Sequence, residues 1–329
     1  MQSPLLIGLG AGIASAALFA SAWTGTALGV FVLFFLSPLP VAIAGLGWNW
    51  ISGVLAAATG TAIVAAAGGP RSGIVYAIAL AAPAAAFAYL AKLNRPSSAP
   101  PNANGDAAAA ASVEWYPIGR IIAWASLWAG LTAAAFLLSI GNDVASVRAT
   151  LLDVLEKSLF SEEIGPGGRK LTAEEKNAFV AVMVVFFPWA VSTLWFAVAM
   201  LNLWVAGHVT HLSGRLVRPW PHLHQIQLPP VMPPAFGAAV LGTFVPGMTG
   251  LIASGFASAL MFAFMLVGLA ILHRVTRGNP LRPLMLGAVY GALLLLSPFS
   301  SLLIALIGLA EPYLRRRVPP GAPPPPLST

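Results

Sequence analysis

The chain has 329 residues, of which 58% are hydrophobic and only 8% charged, with a formal net charge of +7 and no cysteine. An average soluble domain is about 25% charged, so a water-covered surface is excluded and lipid must cover most of this one. The missing cysteine excludes disulfides, thiol nucleophiles, iron–sulfur clusters and cysteine-type zinc sites. The basic excess does not point to nucleic acid, because the basic residues sit in short loops between apolar runs, where the positive-inside rule places them. Richness in Ala, Gly and Pro, with Arg preferred over Lys, fits a bacterial source.

A membrane span needs about 20 apolar residues. The start, Met1 to Pro4, has no basic leader region and runs straight into a first span at 4–22. Further apolar segments lie at 24–46, 50–67, 72–93, 118–140, 176–206, 234–246, 251–274 and 281–309. Pro38, Pro40 and Pro246 interrupt their segments, so broken and short helices are expected. The expected fold is all-α, a polytopic transmembrane helix bundle of about eight full spans (range about eight to ten).

Residues 1–93 form a first helical group of four spans, and 118–314 a second. Between them, 94–117 is rich in Pro, Ser, Asn and Ala, without periodicity, and reads as a flexible linker. Within the second group, 141–175 is a hydrophilic insertion. Val144, Val147, Leu151, Leu155 and Leu159 recur there at helical spacing, which predicts an amphipathic helix on the membrane surface. The Gly165–Pro166–Gly167–Gly168 turn ends it, and Thr172 with Glu175 has the form of a capping box for the next helix. Residues 315–329 are a basic, Pro-rich tail.

Charge orients the bundle. Lys92, Arg95 and Arg120 flank the linker, Arg215 and Arg218 follow the sixth span, and Arg274, Arg277 and Arg282 follow the eighth. These loops are two spans apart, so they share one side, which the positive-inside rule makes cytoplasmic together with the N-terminus. The acidic insertion falls opposite. Arg315, Arg316 and Arg317 would be external if 281–309 crossed once. A turn at Pro298 would instead make a terminal hairpin and bring the C-terminus inside. Both arrangements fit the segment, and the basic tail favours the hairpin.

Candidates for chemistry are few. His208, His211, His222 and His224 cluster, and a zinc or nickel site is imaginable, but no carboxylate or cysteine lies near them. A basic loop at head-group level accounts for them better, and no metal site is assigned. Of the ten carboxylates none lies in mid-span; Glu311 is nearest, at the end of the last segment, where the terminal arginines would pair with it. A buried-acid proton relay is therefore disfavoured. No Gly-x-Ser-x-Gly motif accompanies a base, and no Walker-type phosphate loop occurs. No catalytic residue and no cofactor is assigned, and the chain is not expected to be an enzyme.

Binding candidates remain. Trp48, Asn49 and Trp50 join the second and third segments beside the Pro38/Pro40 break, and Asn202 lies late in the sixth span. Polar and aromatic groups at a broken helix can hold a solute, although interfacial anchoring suits the tryptophans and an interhelical hydrogen bond suits Asn202. Gly8, Gly12, Ala16 and Ala20 form a small-residue stripe on the first span, suited to helix packing or to docking a partner.

Several stretches resemble the YybS-like bacterial membrane proteins. The strongest is Asn202–Leu203–Trp204–Val205–Ala206–Gly207, followed by Ser213–Gly214–Arg215–Leu216, Arg218–Pro219 and Leu228–Pro229–Pro230. Gly268–Leu269–Ala270 before His273–Arg274, Pro298, Ile307–Gly308–Leu309 and the early Ser37–Pro38–Leu39–Pro40 are also similar. That family is distantly similar to the S components of energy-coupling-factor transporters. The resemblance implies a solute-binding subunit of a bacterial inner membrane that docks on a membrane coupling protein driven by ATPase subunits, with the first-span stripe as docking face. The alternative is a structural or scaffolding membrane protein acting through its acidic insertion.

Overall fold

A computed structural model describes residues 3–26, 32–96, 113–158, 170–221, 226–297 and 299–315, and it is an all-α bundle. Among the described residues, five helical stretches are long and apolar enough to cross a membrane.

Pro4 opens α1 (Pro4–Ala20), where its missing N–H leaves no bond unmade. The second expected span is regular only at its end, in α2 (Leu39–Gly47), preceded by turns at 34–38. Pro38 and Pro40 account for this, because neither can donate to a preceding turn. Asn49 then caps α3 (Trp50–Tyr76), its side chain accepting from Ser52 N at 2.8 Å. At Gly69 the backbone turns to φ 85°, ψ 164°, a conformation open to glycine, and Pro70 follows. The chain folds back on itself there. Gly60 lies against the Tyr76 ring, and a methyl on Gly73 would meet Ala65 Cβ at 2.5 Å. The returning arm runs through a π turn (Ala77–Ala81) into α4 (Ala82–Lys92). The spans expected at 50–67 and 72–93 are the two arms of this hairpin.

The ends of the expected linker are paired, which its composition does not predict. β1 (Asn94–Pro96) lies antiparallel to β2 (Val113–Trp115), and Arg95 bonds Glu114 across the pair at 2.8 Å. Residues 97–112 lie outside the described residues. The helical groups on either side of the linker share one core, in which Val41 and Phe87 meet Ile121, Phe196 and Phe264.

α5 (Ile118–Ile140) is followed by α6 (Val144–Ser158) and by α7 (Ala173–Leu212), which starts at the capping box of Thr172 and Glu175. The apolar stripe of α6 packs on the protein itself. Val147 is fully buried with Leu137, Val180 and Val184, and Leu151 and Leu155 pack beside it; Leu159 and the Gly165–Gly168 turn lie outside the described residues. At 40 residues α7 is roughly 60 Å long, twice a hydrocarbon core. Its first turns and α6 therefore form a knob beyond the apolar slab, tied by a Lys176–Glu156 ion pair at 3.2 Å.

α8 (Met232–Gly242) leads to α9 (Met248–Val275), and then to α10 (Arg282–Leu295) and α11 (Phe299–Arg315). Gly268 lies on the Ile304 carbonyl and Gly308 on the Phe264 carbonyl, so α11 runs antiparallel to α9 in close backbone contact. That register puts Phe299 level with the last turn of α9. His273 Nε2 lies 2.9 Å from the Tyr290 hydroxyl, at the same level. Both ends and the middle of α10 are thus at one end of the bundle, and α10 runs across it with no buried residue.

This corrects the expected terminal hairpin. The apolar segment does break near residue 298, but α11 then leads away from the basic end. Arg316 and Arg317 lie outside the described residues. A second correction follows: Glu311, expected at the end of a span, is buried inside the bundle on α11.

The basic loops do gather at one end. Ser52 Oγ donates to Pro4 O at 3.0 Å, Lys92 Nζ to Trp48 O at 2.9 Å, and Arg218 to Ala91 O and Tyr116 O at 3.1 and 3.0 Å.

Candidate functional site

A cleft of about 930 Å³ opens toward this basic end. One wall is the C-terminal half of α7 (Ala197 to Gly207), and another is the last half of α9, with Phe262, Leu266, Leu269 and Ala270. Ile118 and Ile122 of α5 close a third side, and Leu216, Trp220 and Ile226, from the extended chain after α7, a fourth. α10 crosses its mouth and contributes Arg282 and Tyr290. The volume lies in the range of small-molecule sites, about 300–1,000 Å³.

The polar groups of the cleft converge. Arg218, His273, Arg277 and Arg282 all line it, no carboxylate does among the described residues, and all four sit at its basic end. Arg218 is spoken for: its two carbonyl partners tie the α7 exit to α4 and to the start of α5. Burial lowers the pKa of its guanidinium from the usual value, and those carbonyls partly replace the lost water. Arg282 Nε is shielded from solvent and has no hydrogen-bond partner.

The residues read from the sequence as binding candidates are placed elsewhere. Trp48 carries Arg215 over its ring at 4.4 Å and edges a shallow apolar groove of about 370 Å³ beside α1. Asn49 is a helix cap, and Trp50 is 56% exposed on the outer surface. Asn202 is buried and bridges the broken segment to α7, its Nδ2 donating to Phe35 O and Val198 O at 2.8 Å each. Its Oδ1 has no partner, and beside it lies a void of about 20 Å³, room for one water. The structure does not bring Asn202 together with the Trp48–Trp50 corner.

Around that void the interior is held by side chains reaching irregular backbone. Ser15 Oγ donates to Ser37 O and lies 2.5 Å from the Tyr76 hydroxyl. Trp195 and Trp128 donate to Ala79 O and Ile78 O of the π turn at 2.6 and 2.8 Å. Broken backbone inside an apolar bundle needs such partners.

In the small-residue stripe, Gly8, Gly12 and Ala16 are buried, and Ala20 is half-buried. A methyl on Gly12 would meet Ala56 O and Thr59 Cβ at 2.6 Å each, so α3 fills this face. Among the described histidines, His208 stacks on Trp204 at 5.6 Å and His211 leans on Trp220 at 5.4 Å. No metal-holding cluster occurs among the described residues, and His222 and His224 lie outside them.

The cleft residues Arg218, His273, Arg277, Arg282 and Tyr290 were not singled out as a site in the sequence. Their signal was present as basic loop residues, but charge in a loop reports the side of a membrane before it reports a ligand. No protein-family model matches the chain, and comparison with curated proteins and with solved structures gives no match either.

Proposed function

We propose that the chain is a multi-pass protein of a bacterial inner membrane, with its basic end and N-terminus cytoplasmic, that binds a solute in the cleft as a transporter-like subunit. The observation that carries this reading is the 930 Å³ cleft, whose apolar walls end in four cationic or titratable groups with no carboxylate among the described lining residues. The short motifs shared with YybS-like proteins support the same assignment. Since the sequence has no phosphate loop, energy for uptake would come from partner ATPase subunits through a coupling protein. Native mass spectrometry of the gently solubilised protein tests this. A co-purifying small molecule lost on Ala270→Trp, which fills the cleft, is the expected result; no bound mass and no partner chain would overturn it.

Buried Glu311 favours a second energy source. An acid inside a bundle is a candidate proton carrier. Glu311→Gln separates the two readings, because it stops uptake driven by protons and spares uptake driven by ATP.

A further inference from the structure

We propose that the cleft takes an amphiphile with a phosphate head and a hydrocarbon tail, its head against Arg277 and Arg282 and its tail between α7 and α9. This rests on reading the cleft as a solute site, and names the ligand class.

The two halves of the cleft ask for different chemistry. Met200 and Leu203 of α7 face the same space as Phe262 and Leu266 of α9, an environment for hydrocarbon. From Phe262 to His273 the wall runs roughly 16 Å at helical rise, too deep for a bare anion. At the basic end Arg218 is already engaged by two carbonyls, which leaves Arg277 and Arg282 for a ligand. Arg282 Nε is a buried donor without an acceptor. A guanidinium fork matches phosphate oxygens, and completing that donor removes a standing cost. Among the described residues no carboxylate in the lining neutralises the two arginines. α10 crosses the mouth without burying a residue, which leaves a way in at the basic end.

The test uses the full chain in phosphatidylcholine nanodiscs, with binding read from the fluorescence of Trp204 and Trp220, which line the cleft. The probes are dodecyl phosphate, dodecanol and inorganic phosphate. Dodecyl phosphate is expected to bind, at least tenfold more weakly in the Arg277→Gln/Arg282→Gln double variant and not at all in Ala270→Trp. Dodecanol and inorganic phosphate are expected to bind far more weakly. If the double variant does not fold, Arg277→Gln alone carries the test, since its side chain is exposed. Nanodiscs containing phosphatidylglycerol separate the sources. Competition with the probe identifies a resident membrane lipid, and no competition identifies a free phosphate amphiphile; both uphold the proposal. Equal binding of dodecanol, or indifference to the arginine variants, overturns the phosphate head and leaves the cleft a solute site. No binding by any probe, with the co-purifying mass unchanged in Ala270→Trp, overturns both.

Discussion

His273 Nε2 and the Tyr290 hydroxyl lie 2.9 Å apart, and this one hydrogen bond ties α10 to the end of α9 across the mouth of the cleft. Beyond it, α10 is held by Val289 and Leu293, which pack half-buried against the core, and by Ser300 Oγ, which donates to Ala292 O at 2.9 Å. None of its residues is buried, and Leu294 at its far end is 83% exposed. An element so loosely attached opens at low free energy.

Tyr290→Phe should therefore free α10 without unfolding the bundle. A single exposed hydrogen bond contributes about 0.5–1.5 kcal/mol. Hydrogen exchange across 282–295 is expected to rise several-fold, while exchange in α9 and the thermal midpoint stay close to wild type. Matched protection in α10 of both proteins would show that another contact holds it.

The α9–α11 contact behaves in the opposite way. A methyl on Gly268 would strike the Ile304 carbonyl, and one on Gly308 the Phe264 carbonyl. Gly268→Ala or Gly308→Ala should destabilise by about 1–3 kcal/mol through overpacking. Gly287→Ala and Gly291→Ala on α10 meet open space, so they should be neutral or stabilising by up to about 1 kcal/mol. Thermal unfolding of the four variants in one detergent compares them directly; equal shifts would refute the antiparallel register.

Asn202 links the broken segment to α7. Asn202→Leu removes the donor to Phe35 O and leaves that carbonyl unpaired inside the bundle. The expected loss is about 1–3 kcal/mol. Trp50→Ala, on the outer surface, should cost far less. If Asn202→Leu unfolds no earlier than wild type, the bridge is not structural.

These contrasts also show what a sequence of this kind carries. Apolar length announced α1, α5, α7 and α9, because crossing a hydrocarbon core demands it. The pairing of Thr172 with Glu175 announced the start of α7, since a capping box is local. The seating of Val147 on Val180 was not legible: an apolar stripe beside a membrane protein satisfies lipid and protein equally well. Nor was the cleft, because Arg218 is far in sequence from Arg277 and Arg282, and only the packing of α7 against α9 brings the two loops together. Glu311 was misjudged for a related reason. Its depth depends on the direction of α11, which composition does not encode.

Acid should loosen α6 at its first turn. Asp143 accepts from Ser146 N at 2.7 Å, and this holds its pKa below the usual carboxylate value. A depressed folded pKa adds stability that is fully present above the unfolded value and is lost as pH falls through the folded one. Protection at 144–147, taken relative to the intrinsic exchange rate at each pH, should fall as pH drops below the ordinary aspartate range. Asp143→Ala should show the lower protection already at neutral pH, with little further pH response.

The crosswise course of α10 makes a sharp topological prediction. The chain has no cysteine, so single-cysteine variants report one position each. Asn279 precedes α10 and Ser297 follows it, while Asn142 lies between α5 and α6 at the other end of the bundle. In sealed vesicles an impermeant maleimide should reach Asn279→Cys and Ser297→Cys from the same side, and Asn142→Cys from the opposite side. A helix of 14 residues, roughly 21 Å long, would be thin for a crossing in any case. Labelling of Ser297→Cys together with Asn142→Cys would mean that α10 traverses the bilayer. The cleft would then lose its mouth at the basic end, and with it the entry for a ligand.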